Sequence, residues 1–192
     1  MSCLGLPDKT TQQRYKKEDI VLLLQQGADI NEQDISGYTA LWRVCRDNRT
    51  DIIEILLQNN KINVNLQNTS GESPFYRACE ARGNYECTLI MLQDARVDVN
   101  MADTRGISPL MTACYGGKTE IVQLLISSGR YIDILKKSTK DFSEGIKSGS
   151  TALDVAKQRN STDIVRLLEQ YQNNPKETQK TTRNELNLQG KK

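Results

Sequence analysis

Apolar residues along this chain come in short clusters divided by polar turns. Four of the clusters read Asp51-Ile-Ile-Glu-Ile-Leu-Leu57, Cys87-Thr-Leu-Ile-Met-Leu92, Glu120-Ile-Val-Gln-Leu-Leu-Ile126 and Asp163-Ile-Val-Arg-Leu-Leu168. Ile52, Ile55 and Leu56, like Ile121, Leu124 and Leu125, stand at helical spacing, so each cluster predicts an amphipathic helix. Ahead of each lies a second, shorter segment: Gly37-Tyr-Thr-Ala-Leu-Trp-Arg-Val-Cys45, Gly71-Glu-Ser-Pro-Phe-Tyr-Arg-Ala-Cys79, Gly106-Ile-Ser-Pro-Leu-Met-Thr-Ala-Cys114 and Gly149-Ser-Thr-Ala-Leu-Asp-Val-Ala-Lys157. Thr39, Ser73, Ser108 and Thr151 offer a side-chain oxygen to an otherwise unpaired N–H and predict helix N-caps. Pro74 and Pro109 follow at the first helical position, where a missing N–H costs nothing. In front of them, Asp34-Ile-Ser-Gly37, Asn68-Thr-Ser-Gly71 and Asp103-Thr-Arg-Gly106 are β-turn sequences. The first helix is expected to end in a turn around Asn48, Gly83, Gly117 or Asn160.

The four glycines stand 34, 35 and 43 residues apart. Turn, helix, turn, helix therefore repeats with a period of about 33 residues. Such a unit cannot bury its own apolar face; stacked units can, which gives a solenoid. A lone second-helix copy, Asp19-Ile-Val-Leu-Leu-Leu-Gln-Gln-Gly-Ala-Asp-Ile-Asn31, opens the series. A short Asp/Asn-apolar-Asn signature closes three units as Asp29-Ile-Asn31, Asn63-Val-Asn65 and Asp98-Val-Asn100, and lapses at Asp133-Ile-Leu135.

These motifs resemble the ankyrin-repeat family. Its Gly-x-Thr-Pro-Leu-His-x-Ala-Ala motif stands here as Gly-x-[ST]-[PA]-[LF]-x-x-[AV]-[CK]. Its Leu-Leu-x-x-Gly-Ala-Asp-Val-Asn motif stands as Leu23-Leu24-Gln-Gln-Gly-Ala-Asp-Ile-Asn31. The resemblance implies an all-α solenoid with β-hairpin fingers: four full repeats plus an N-terminal half repeat. The stack is expected over 17–171, with a half repeat at 17–34 and full repeats at 35–68, 69–103, 104–147 and 148–171. The third carries a long finger insertion around 135–147, read as a tolerated surface loop, and the fourth is the C-terminal cap. The family's first-helix histidine is replaced by Trp42, Tyr76, Met111 and Asp154, which leaves open the link that histidine makes between neighbouring loops.

Residues 1–16 read as disordered or as a polar N-terminal cap, and the polar stretch 172–192 as a disordered tail. That tail holds five basic and two acidic residues. The whole chain carries 26 Lys+Arg against 24 Asp+Glu, a net +2, so the repeat body is left at −1.

Composition narrows the chemistry. The 192 residues contain no histidine, which excludes Ser-His-Asp, Cys-His and His-ligated zinc sites. The near-neutral charge argues against a nucleic-acid binder. Cys45, Cys79 and Cys114 lie one repeat apart, and adjacent helices in a stack stand about 10 Å apart, too far for a shared metal or a disulfide; they are expected as buried thiols. Gly116-Gly-Lys-Thr119 lacks the earlier glycine of a phosphate-binding loop, since Thr112 stands there. We therefore expect no enzyme, no cofactor, no metal and no small-molecule substrate. With no export signal and no membrane-spanning run, a cytoplasmic or nucleocytoplasmic monomer is expected.

The resemblance also implies where a partner protein binds: the finger tips and the first-helix face. Carried onto this chain, those positions include Tyr38, Arg43, Arg46, Arg77, Arg105, Ile107 and Tyr115, with Gln33, Ile35 and Gln67 beside them. Tyr and Arg are enriched at interface hot spots. A column of arginines interrupted by Asp47, Glu72 and Glu80 suits an extended acidic or mixed partner, bound by a scaffold, adaptor or inhibitor. The first alternative is a substrate: in similar proteins the hairpin asparagine is hydroxylated, here Asn31, Asn65 and Asn100; the last is an enzyme without histidine chemistry, relying on Asp, Glu, Lys or Cys alone. A turn-stabilising role is the simpler reading of those asparagines.

Overall fold

A computed structural model describes residues 16–80, 85–141 and 146–187. Most of the N-terminal cap, Cys3, the turn at Gly83 and Phe142 lie outside these residues. The described residues form ten helices: α1 (Lys17–Gln25), α2 (Ala40–Arg46), α3 (Thr50–Gln58), α4 (Pro74–Cys79), α5 (Tyr85–Gln93), α6 (Pro109–Tyr115), α7 (Thr119–Ser127), α8 (Ala152–Gln158), α9 (Thr162–Asn173) and α10 (Pro175–Glu185). The helices stack in two layers. α2, α4, α6 and α8 pack in succession as the first-helix layer, and α1, α3, α5, α7 and α9 as the second. Each first helix also packs on its own second helix.

The local signals act as read. Thr39, Ser73 and Ser108 accept the N–H of Trp42, Tyr76 and Met111. Thr151 and Asp154 close a reciprocal capping box. Asn48, Gly117 and Asn160 take left-handed φ at the turn into the second helix. The buried thiols Cys45, Cys79 and Cys114 lie in one core with Ile52, Leu56, Phe75, Met91, Leu110, Val122 and Leu125.

The expected β-hairpin fingers form no strand among the described residues outside an isolated bridge at Ile146. They are tight turns, organised by one side-chain oxygen apiece. Oδ1 of Asp34 accepts the N–H of Ser36 and Tyr38. Asn68 does the same for Ser70 and Glu72, and Asp103 for Arg105 and Ile107. The fingers then join edge to edge. Thr69, Thr104 and Thr139 donate their N–H to the carbonyls of Ser36, Ser70 and Arg105. The approach is close enough to require glycine. A Cβ on Gly71, at φ +79°, would lie 2.7 Å from the Thr104 nitrogen.

The insertion in the third repeat is anchored at its stem. Thr139 continues the finger row, Ser138 pairs with Ser150, and Ile146 is buried.

The tail departs from expectation. The second helix of the last repeat runs on to Asn173, and residues 175–185 form α10, packed on α7 and α9. The physical reason is that α10 docks through small and polar groups that give no hydrophobic stripe. Thr178 and Thr182 are its buried residues. Arg183 donates from Nε and Nη2 to the carbonyl of Ser127 at the C-terminus of α7, and Gln179 reaches the Tyr171 hydroxyl. Pro175 starts the helix, with Asn174 as its cap.

Candidate partner-binding face

The finger turns carry Tyr38, Arg105 and Ile107 of the nominated residues, and the middles and C-terminal ends of the first helices carry Arg43, Arg46, Arg77 and Tyr115. The strongest cluster surrounds Trp42. Its ring lies 4.1 Å, centroid to centroid, from that of Tyr38. The guanidinium carbons of Arg46 and Arg77 stand 5.9 and 5.2 Å from the Trp42 ring, the latter reaching across from the next repeat. Arg43 stands 5.4 Å from the Tyr38 ring. Such cation–π contacts contribute about 0.5–1 kcal/mol at exposed sites and more when desolvated.

Charge on this face is locally balanced. Arg43 pairs with Asp34, Arg46 with Asp47, Arg77 with Glu80 and Arg105 with Asp103. Burial works to raise the Asp34 carboxyl, but N–H groups of Tyr38 and Ser36 and the Arg43 guanidinium hold it below the ordinary carboxylate value. Tyr115 lies under Arg159, whose guanidinium carbon is 4.7 Å from its ring and whose Nε donates to its carbonyl. Ile35 stands almost fully in solvent, at 97% exposure, on the tip of the first finger.

Two nominated residues do not present themselves to a partner. Ile107 is 0% exposed. It follows the turn glycine with its N–H tied to Asp103, and its side chain turns into the core. Arg43 is 6% exposed, folded between Tyr38 and Asp34, so it supports the finger instead of meeting solvent. Tyr38, Arg46, Arg77, Arg105 and Tyr115 are half-buried.

The substituted histidine column has a different outcome in each repeat. The Tyr76 hydroxyl reaches Asp103 of the next finger at 3.5 Å, restoring a link between repeats. Burial, and then the negative charge of Asp103, push the Tyr76 pKa up to about 12. Met111 is buried in the core, and Asp154 serves its own capping box. Trp42 is 4% exposed, and its Nε1 has no hydrogen-bond partner.

The three asparagines form a ladder between repeats. Asn31 donates to the carbonyl of Lys61 and accepts from the N–H of Asn63. Asn65 bridges Arg96 and Asp98, and Asn100 bridges Tyr131 and Asp133. The local turn is made two residues earlier, by Asp29, Asn63 and Asp98. Gln33 and Gln67 build a parallel ladder, each donating to its own finger and to the next. This function escaped the sequence reading, although the recurrence of an asparagine at the close of three successive units, lapsing at Leu135 before the last one, was its signature.

Among the described residues no group of three or more His, Cys, Asp and Glu side chains could hold a metal. Burial drives the Cys79 and Cys114 thiols well above their ordinary range. Cys87 crosses to the neighbouring unit, its Sγ 3.8 Å from the Cys45 carbonyl oxygen. No helix among these residues is long and apolar enough to cross a membrane.

This two-layer stack, with fingers tied repeat to repeat, defines a repeat protein. The family model for ankyrin repeats matches residues 12–103 and 83–179 in three copies, and the chain belongs to the ankyrin-repeat family. Such repeats imply protein partners. Among curated relatives, BCL-6 corepressor-like protein 1 of Mus musculus is 40% identical over 60 residues, covering 31% of this chain and 3% of the relative. Its Homo sapiens counterpart is 38% identical over 64 residues, covering 33% of this chain and 4% of the relative. The chain thus matches only a few per cent of the length of these relatives.

Proposed function

We propose that this protein is a non-catalytic binding module that holds one partner protein in the groove between its fingers and its first helices. Scaffold, adaptor and inhibitor are forms of this one role. The carrying observation is the collection of Tyr38, Trp42, Arg46 and Arg77 into a single cluster spanning two repeats. Aromatic and arginine side chains held by neighbours lose little entropy on binding and anchor interfaces well. Arg105 and Tyr115 extend the same face toward the third repeat. The corepressor-like relatives match over about two repeats, which supports the repeat scaffold and does not carry their name to this chain.

The test is affinity capture from the native cell with quantitative mass spectrometry, comparing the protein with its Tyr38→Ala/Arg46→Ala/Tyr115→Ala variant. The variant should lose the captured partner while it keeps the native circular dichroism spectrum and stays folded at the capture temperature. An unaltered capture profile would refute the groove.

The hydroxylation reading is disfavoured by a specific observation. Both polar atoms of each asparagine amide are engaged with the following repeat, so access for a modifying enzyme requires the repeats to part.

A further inference from the structure

The Trp42 cluster contains two buried donors whose partners are missing. Trp42 Nε1 and Arg43 Nε are both buried without a hydrogen-bond acceptor among the described residues. A buried unpaired donor is destabilising, and native proteins leave few of them. The contrast within the column is specific. Tyr76 sends its hydroxyl to Asp103 and Asp154 serves its capping box, while Trp42 keeps an N–H with nothing to accept it.

Two guanidinium groups flank that indole. Arg46 and Arg77 lie beside its ring, and each is paired with a carboxylate of its own helix end, Asp47 and Glu80. These carboxylates sit at a neighbouring position and one turn away, and both are about one-third exposed. The Arg46 and Arg77 side chains are themselves only 21% and 15% exposed, so the carboxylate is the half of each pair that water reaches and that a partner carboxylate would replace. The geometry around each guanidinium already suits a carboxylate, because the protein's own carboxylates occupy it.

We propose that this cluster is the docking point for an acidic segment of a partner protein. Asp or Glu side chains of that segment take Arg46 and Arg77 from Asp47 and Glu80, and a side-chain or backbone oxygen accepts from Trp42 Nε1 as the arginines swing off the ring. A nucleic acid fits less well. It needs a continuous basic patch, and here Asp34, Asp47 and Glu80 alternate with the arginines. The inference rests on the groove reading above and specifies the chemistry of its occupant.

Trp42 is the only tryptophan of the chain, so the site reports on itself. The probe is a fluorescein-labelled twelve-residue peptide of alternating Glu and Gly; controls are the Lys/Gly peptide of equal length and a twelve-nucleotide oligothymidylate. Fluorescence anisotropy on the full chain should show at least tenfold tighter binding of the Glu peptide than of either control. An unlabelled Glu peptide should change the Trp42 emission. Asp47→Asn/Glu80→Gln, which removes the internal competitors, should tighten binding at least threefold. Arg46→Gln/Arg77→Gln should weaken it at least tenfold while the variant stays folded at the assay temperature by circular dichroism. Equal binding of the Lys peptide or the oligonucleotide, or no tightening in Asp47→Asn/Glu80→Gln, would overturn the proposal. If the Glu peptide fails while the triple variant above still loses its partner, the acidic occupant falls and the groove stands. If capture survives the triple variant, the groove itself falls.

Discussion

Gly71 is where the finger row is most sensitive. It combines a left-handed backbone, φ +79°, with a backbone neighbour 2.7 Å from where a Cβ would sit. Gly149, its counterpart in the last repeat, shares the conformation, φ +88°, but a Cβ there meets nothing within 4 Å. Comparing alanine at the two positions separates conformational strain from contact with the next repeat. Left-handed φ costs a non-glycine residue about 1–2 kcal/mol, so Gly149→Ala should lose that amount. At Gly71 the clash is with the Thr104 backbone, which no rotamer change relieves. Forced displacement adds about 1–3 kcal/mol, and weakening the Thr104 N–H to Ser70 bond, 3.0 Å long, adds about 1 kcal/mol. Gly71→Ala should therefore cost about 3–6 kcal/mol in total, a large share of the ~5–15 kcal/mol typical of a folded domain. Urea unfolding followed by circular dichroism measures both. If the two variants agree within about 0.5 kcal/mol, the additivity limit of such data, close contact between fingers is not what demands the glycine.

Asn65→Ala removes two bonds to the next repeat and should cost about 1–3 kcal/mol, more than Asn63→Ala, whose Oδ1 serves a local turn; equal losses in urea titrations would deny the ladder. Tyr76 is neutral below its unfolded pKa near 10 and has a folded value of about 12. Its contribution is therefore complete below pH 10 and lost as pH rises from 10 to 12, and Tyr76→Phe should flatten that part of the melting-temperature profile. Arg183→Ala strips α10 of its two donors to the Ser127 carbonyl, and should cost about 1–2 kcal/mol and raise hydrogen exchange across 175–185 first.

Legibility in the sequence followed the range of the interaction. Thr39, Ser73, Ser108 and Thr151 act within three residues of themselves, so the helix starts could be read directly. Asp34, Asn68 and Asp103 likewise organise turns of four or five residues. The candidate site was read at the level of its columns, and Tyr38, Arg46, Arg77, Arg105 and Tyr115 are half-buried. The errors came where a side chain could go either of two ways. Ile107 follows a turn and could point outward or inward; the core took it. Arg43 and Arg77 occupy equivalent places in their repeats, yet Arg43 found Asp34 and sank beside Tyr38.

By itself, the sequence determined the repeat, its period and the starts of the first helices, because each depends on local capping, turn preference and the need to bury a periodic apolar face. Tertiary structure alone decided the remainder. Asn65 joins a residue 31 positions away and Arg183 one 56 positions away. Both α10 and the asparagine ladder rest on polar bonds between groups distant in the chain, and polar bonds leave no hydrophobic period to read. The Trp42 N–H belongs to the same class: whether a buried donor finds an acceptor depends on every chain segment around it, and the described residues supply none.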